Sequence, residues 1–148
     1  MENLPKKIRP ADIYISSFAP DAAEIEIWKG SVINASGNRA SRNEFIDFFA
    51  SLVRKHKNRV TSFYAKKMGA QTREFSTAIK VLSGISANDW IIEYLTLEAC
   101  DLLENTDKTV SEIAEYLNFS QSVFSMFFIR NKKCAPSEWR MLNQRKRK

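Results

Sequence analysis

From Ser41 onward, apolar residues recur at three- and four-residue intervals, the period of a helix with one buried face. Phe45, Phe48, Phe49, Leu52 and Val53 mark the first such face, and Ser41 followed by Glu44 has capping-box spacing at its start. Thr61 reads as the cap of a short helix through Phe63, Ala65 and Met68. That helix stops at Gly69, a residue type that enters a left-handed turn without steric cost. A helix over 72–82 turns Phe75, Ala78 and Ile79 inward and ends at Ser83-Gly84, and a longer one over 87–104 carries Trp90, Ile91, Tyr94, Leu95, Ala99, Leu102 and Leu103. Thr109 and Glu112 then form a second capping box ahead of Val110, Ile113, Ala114 and Leu117, and Asn118 marks a turn. Ser120 caps a helix over 121–131 with Phe124, Phe127 and Phe128 inward, and Pro136 opens the last helix at its favoured first-turn position.

Residues 1–41 break this pattern. They hold three of the four prolines, two of the four glycines and the run Ala35-Ser36-Gly37-Asn38-Arg39-Ala40-Ser41, which together read as an arm and linker. Polar and apolar residues alternate from Ala23 to Trp28, and Lys29-Gly30 precedes Ser31-Val32-Ile33-Asn34, a pattern compatible with a short β-hairpin. Two strands alone are marginal in water, so such a hairpin needs the helical body or a second protomer to dock on.

The helical part repeats itself. An offset of 49 residues aligns Ala65 with Ala114, Met68 with Leu117, Gly69 with Asn118, Phe75 with Phe124, Ser76 with Ser125 and Trp90 with Trp139, without a gap. Each copy has a short helix with a small alanine, a tight turn and a second helix with a polar outer face. Those are the physical requirements of a helix-turn-helix, whose second helix enters the major groove of DNA. The expected fold is therefore all-α: two helix-turn-helix subdomains over 42–86 and 106–144, joined by a linker helix over 87–105, with an arm over 1–41 and a basic tail over 145–148.

Charge narrows the partner class. The formal net charge is +6, and all of the excess lies in residues 42–148, since residues 1–41 carry five basic and five acidic side chains. That asymmetry favours a polyanion. Cys100 and Cys134 lack any CxxC or Cys/His spacing, and His56 sits in a basic run without an acidic orienter. With no paired carboxylates, phosphate-binding glycine loop or nucleophile–base arrangement in view, neither catalysis, a metal nor a cofactor is expected. No apolar run approaches the roughly 20 residues of a membrane span, and Met1-Glu2-Asn3-Leu4-Pro5 lacks a signal-peptide core, so a cytoplasmic location is expected.

The run Val110-Ser111-Glu112-Ile113-Ala114-Glu115-Tyr116-Leu117-Asn118-Phe119 resembles the signature half of the bacterial AraC/XylS family of transcription regulators. So do Phe124-Ser125, Ala135-Pro136-Ser137-Glu138-Trp139-Arg140 and, upstream, Ala99 to Thr106. The resemblance covers roughly residues 43–143 and implies about seven helices, two helix-turn-helix units and sequence-specific duplex DNA as partner. The chain departs from the family pattern where Asn118 and Lys133 stand for glycines, Met126 for a frequent Arg and Ile129 for a frequent Lys. The stretch between Phe119 and Phe124 is one residue shorter, and a linker-helix Arg is replaced near Tyr94 or Leu95. Residues 1–41 are too short for the β-rich effector domain of many members. These departures imply weaker DNA contact by the second unit.

On this basis the candidate DNA-contacting residues are Arg73, Glu74, Ser76, Thr77 and Lys80 in the first unit, and Gln121, Ser122, Ser125, Met126 and Arg130 in the second. Arg73 can pair bidentately with guanine and Lys80 can reach a phosphate, while Gln121 suits adenine and Met126 a thymine methyl. Lys55, Lys57, Arg59, Lys66 and Lys67, with the tail Arg145-Lys146-Arg147-Lys148, have the composition of backbone clamps. RNA polymerase, as target of an activator, and a second copy meeting through the arm are further expected partners. Two other function classes remain open at this point: an architectural or recombination accessory protein that bends DNA, and a protein-interaction module that binds none.

Overall fold

The 49-residue sequence repeat is a repeat of secondary structure, residue for residue. In the computed structural model, which describes residues 7–144, α4 (Thr61–Lys67) and α5 (Thr72–Ser83) recur at that offset as α7 (Val110–Tyr116) and α8 (Gln121–Lys132). The starts of α6 (Ala87–Asn105) and α9 (Pro136–Asn143) keep the same offset. With α3 (Glu44–His56) these make the seven expected helices, and α1 (Pro10–Ile13) and α2 (Ala22–Trp28) lie in the arm. The described residues contain no strand.

The helix starts follow local chemistry, with two corrections. Ser86, Thr109 and Ser120 each accept a backbone N–H at the third helical position, and Thr109 with Glu112 completes a reciprocal capping box. At α3, however, the cap is Asn43, whose Oδ1 accepts from the Ile46 N–H at 3.0 Å. Arg42 has φ 72° and interrupts the chain before it, so Ser41 instead donates its hydroxyl to Asp47 at 2.6 Å. At α4 the cap position is Val60 and Thr61 is already helical.

One core spans both units. Phe49 of α3 packs against Phe75 of α5 at 5.0 Å, against Tyr64 of α4 at 5.6 Å and against Trp90 of α6 at 4.8 Å between ring centroids. The same apolar cluster continues through Leu95, Ala99, Leu102 and Leu103 to Ile113, Ala114, Phe124 and Phe128 of the second unit. α6 thus lies between the units and buries most of its circumference, leaving a partly exposed stripe along Asp89, Glu93, Leu97, Cys100 and Glu104.

The alternation of residues 23–28 does not make a hairpin strand: Ala22–Trp28 is helical. The only β pairing among the described residues is the single bridge between Ile33 and Arg39, around the turn at Gly37. A strand needs a partner for its N–H and C=O groups, whereas the alanines and glutamates here favour a helix that satisfies them internally. The arm is nonetheless tied to the body. Ile13 and Ile15 are buried, the Ile8 N–H donates to the Leu82 carbonyl at 2.9 Å, and the Trp90 indole donates to the Ile8 carbonyl at 3.1 Å. Tyr14 and Ser16 donate their hydroxyls to the Asp101 carboxylate at 2.5 Å each. Arg54 of α3 donates to the Ile15 carbonyl and to Asn38 at 3.0 and 2.9 Å.

Lys57, at the C-terminal end of α3, is held in the left-handed half of backbone space at φ 63°. Its side chain runs inward, its ammonium 2.6 Å from the Glu98 carboxylate of α6 and 4.6 Å from the ring centroid of Tyr116. Glu98 is 1% exposed, and burial raises its carboxyl above the usual range despite the opposing pull of Lys57. Lys57→Met leaves that carboxylate buried and unpaired, and is expected to destabilise the chain by about 3 kcal/mol at neutral pH in urea denaturation. A carboxyl raised in the folded state stabilises when protonated, so the deficit should shrink as pH falls through the folded-state pKa of Glu98. A deficit that ignores acidification would show that Glu98 is not its source.

Candidate nucleic-acid interface

The turn between the helices of each unit is built from the same parts twice. Ala65 and Ala114 are each 1% exposed and allow close approach of the following helix. Gly69 at φ 69° and Asn118 at φ 68° both take the left-handed conformation. The next N–H then reaches back to the alanine carbonyl, from Ala70 to Ala65 at 3.0 Å and from Phe119 to Ala114 at 2.8 Å. Phe75 and Phe124, both fully buried, anchor α5 and α8 at equivalent points. Each of these helices ends on a left-handed residue, Gly84 at φ 82° and Lys133 at φ 64°.

On α5 the structure exposes Arg73, Glu74, Thr77 and Lys80 and leaves Ser76 half-buried. Ser76, Thr77 and Lys80 line one concavity of about 560 Å³ together with Thr61, Thr72 and Ser86. Arg73 and Glu74 stand outside it, and the Thr77 hydroxyl donates to the Arg73 carbonyl at 2.9 Å. On α8, Gln121, Ser122, Met126 and Arg130 are exposed and Ser125 is half-buried. Thr72, which lines the concavity, and Val123 and Ile129, exposed on α8, were not among the sequence-based candidates. Applying the 49-residue offset strictly would have found all three, since it pairs Thr72 with Gln121, Glu74 with Val123 and Lys80 with Ile129.

The expected backbone clamps divide. Lys55, Arg59, Lys66 and Lys67 are exposed, and Arg59 and Lys67 lie 5.0 and 5.5 Å over the ring of Phe63. Lys57 does not belong with them, because it is buried against Glu98. The tail 145–148 lies outside the described residues. His56 packs against Phe63 at 5.1 Å, and burial, with Lys67, Lys55 and Arg59 nearby, lowers its pKa. Burial pushes the Cys100 thiol up to about 12, and no cluster of His, Cys, Asp and Glu able to hold a metal occurs among the described residues.

Asn118 has a second role that its position in a turn did not announce. Its side-chain amide donates to the Asn58 carbonyl at 2.7 Å, the Asn58 amide donates to the Asn118 carbonyl at 3.2 Å, and the Asn58 N–H donates to the Leu117 carbonyl at 3.1 Å. The turn of the second unit is thereby joined to the α3–α4 loop of the first.

Two short helix–turn–helix units with exposed second helices define the class of tandem helix-turn-helix proteins. A model of the family described as "Helix-turn-helix domain" matches residues 64–141, more than half of the chain. No curated protein matches it. Among solved structures, the C-terminal domain of AraT, a response regulator from Geobacillus stearothermophilus, is similar at TM-score 0.65 and 21% identity, over 72% of this chain and 92% of that one. The C-terminal domain of the response regulator yesN from Fusobacterium nucleatum aligns at TM-score 0.61 and 22% identity, over 68% and 99%. The DNA-binding domain of the global transcriptional factor AdpA, in complex with a target DNA, aligns at TM-score 0.59 and 24% identity, over 67% and 88%. At these identities the likeness is one of fold. The chain belongs to the AraC-type helix-turn-helix family, a family of DNA-binding transcription regulators.

The left-handed turn of the second unit yields a stability test. Asn118→Ala loses the amide bridge and places a Cβ-bearing residue without Asn's tolerance at φ 68°, and should cost about 2 kcal/mol in thermal or urea denaturation. Asn118→Gly loses only the bridge and should cost about 1 kcal/mol or less. Equal losses would mean that the backbone conformation contributes nothing.

Proposed function

We propose that this chain binds a bipartite duplex site, with α5 and α8 entering successive major-groove segments about one helical turn apart, and so regulates transcription. The observation that carries this is the duplicated turn: the same alanine, left-handed residue and buried phenylalanine place two exposed helices in equivalent settings. The family and the uneven charge support it, since the net +6 lies in residues 42–148. Arg73, exposed near the start of α5, suits a bidentate pair with guanine, and Lys80 at the far end of that helix suits a phosphate. Glu74, Ser76 and Thr77 complete the contact surface of the first unit. Gln121, Ser122, Ser125, Met126 and Arg130 form that of the second.

The reading extends to a regulator working in the cytoplasm. No helix among the described residues is long and apolar enough to cross a membrane. An activator of this kind acts on RNA polymerase, and the arm offers a contact for a second copy, where Trp28 and Val32 stand 87% and 68% exposed.

Selection from a random duplex pool at two salt concentrations tests the central claim. A bipartite motif with half-sites about one turn apart is the expected result. Salt-sensitive binding without a motif would replace sequence-specific regulation with architectural binding. Against the selected site, Arg73→Ala should weaken binding about tenfold or more and relax the preference at one base pair. Lys80→Ala should weaken all sequences alike and lower the slope of log affinity against log salt by about 1. Unchanged affinity in both variants would remove α5 from the interface.

A further inference from the structure

The outer face of α8 is chemically unlike that of α5. The 49-residue offset pairs Glu74 with Val123, Thr77 with Met126 and Lys80 with Ile129, so three polar or charged positions on one helix become apolar on the other. Val123, Met126 and Ile129 are 51%, 62% and 47% exposed and follow one another at three-residue spacing, which makes them a single ridge. Ser122 and Ser125 lie next to that ridge, no acidic residue occurs in Gln121–Lys132, and Arg130 stands exposed near the end of the helix.

The ridge suits an apolar partner beside a negative charge. Three partly exposed side chains offer far less than the roughly 800 Å² per partner of a stable protein interface. They do match the scale of the apolar groups on the floor of the major groove, the C5 methyls of thymine, with phosphates within reach of Arg130. Gln121, exposed at the first turn of α8, carries the amide that pairs with adenine N6 and N7.

Resting on the duplex-binding function proposed above, we infer that α8 reads thymine methyl groups through Val123, Met126 and Ile129, so that the half-site under the second unit is A·T-rich. The second unit then contributes specificity by apolar contact where the first uses charge and hydrogen bonds. Apolar Met126 and Ile129, where the first unit has Thr77 and Lys80, change the base that is read instead of silencing the unit.

The test uses the full chain and the duplex selected by it. Met126→Gln and Ile129→Gln, substitutions at exposed positions checked for unchanged Tm, identify the half-site whose base preference they alter. Within that half-site, thymines are replaced one at a time by deoxyuridine, which removes only the C5 methyl. Each replacement at a contacted thymine is expected to weaken wild-type binding about three- to fourfold, and at the thymine touched by Met126 or Ile129 to have little further effect on the chain that carries the substitution at that residue. Replacement without effect on the wild type, or a G·C-rich second half-site, overturns the inference while the bipartite site stands. Selection of a single half-site, with both α8 variants binding as the wild type does, also overturns it and removes the ridge from the DNA interface. If no motif is selected at all, sequence-specific binding fails and this inference fails with it.

Discussion

A helix packed between two units buries polar groups along with apolar ones, and each polar group buried in this way must find a partner inside the protein. α6 is in that position. Trp90 meets Phe49 and Tyr94 meets Arg54 of α3, Leu102 and Leu103 share one apolar cluster with Ile113 and Phe124 of the second unit, and Glu98 and Asp101 are buried on the same helix. Glu98 is answered by Lys57, which must leave the helical conformation at the end of α3 to reach it. Asp101 is answered by Tyr14, Ser16 and the Ser17 N–H, so the arm is held where those donors are needed. The arm and the end of α3 are thus placed where they supply partners for the carboxylates that this helix buries.

The same constraint limits how independently the two units can act. Lys57 reaches the linker helix and the ring of Tyr116, while Asn58 exchanges amide hydrogen bonds with Asn118. Phe18 of the arm adds a ring contact to Tyr116 at 6.2 Å. Contacts between the first unit and the second therefore do not depend on α6 alone. A duplex that engages both recognition helices meets a spacing set in advance by the protein, and has to match it in sequence or in shape.

Local signals located most of the helices because each has a local cause: Thr109 with Glu112, Ser120, Pro136 and Gly84 act within a few residues of where they stand. Where a cap was misplaced, the cause was a neighbour that the pattern of polar residues does not reveal, namely the left-handed Arg42 that delays α3 to Asn43. The alternation at 23–28, compatible with one strand of a hairpin, lies on a helix for a related reason. Alternation shows that residues could line two faces of a strand, but a strand forms only if another backbone lies alongside. On α5 and α8 the polar outward residues are legible from helical spacing, whereas Val123 and Ile129, being apolar, show as outward only through their 49-residue pairing with Glu74 and Lys80.

By itself the sequence determined the all-helical class, the doubled helix-turn-helix with its 49-residue period, and the identity of the two exposed second helices. Periodicity, caps and left-handed turns are properties of neighbours in the chain. Only the tertiary structure decided that Lys57 is a buried ion-pair partner and not a surface cation, that Asn118 ties two units together, and that the arm packs along α6. In each case the deciding partner lies 40 or more residues away, as with Lys57 and Glu98 at a separation of 41. A polar side chain reads the same in sequence whether water or a distant carboxylate answers it. Burial removes the water and makes the difference.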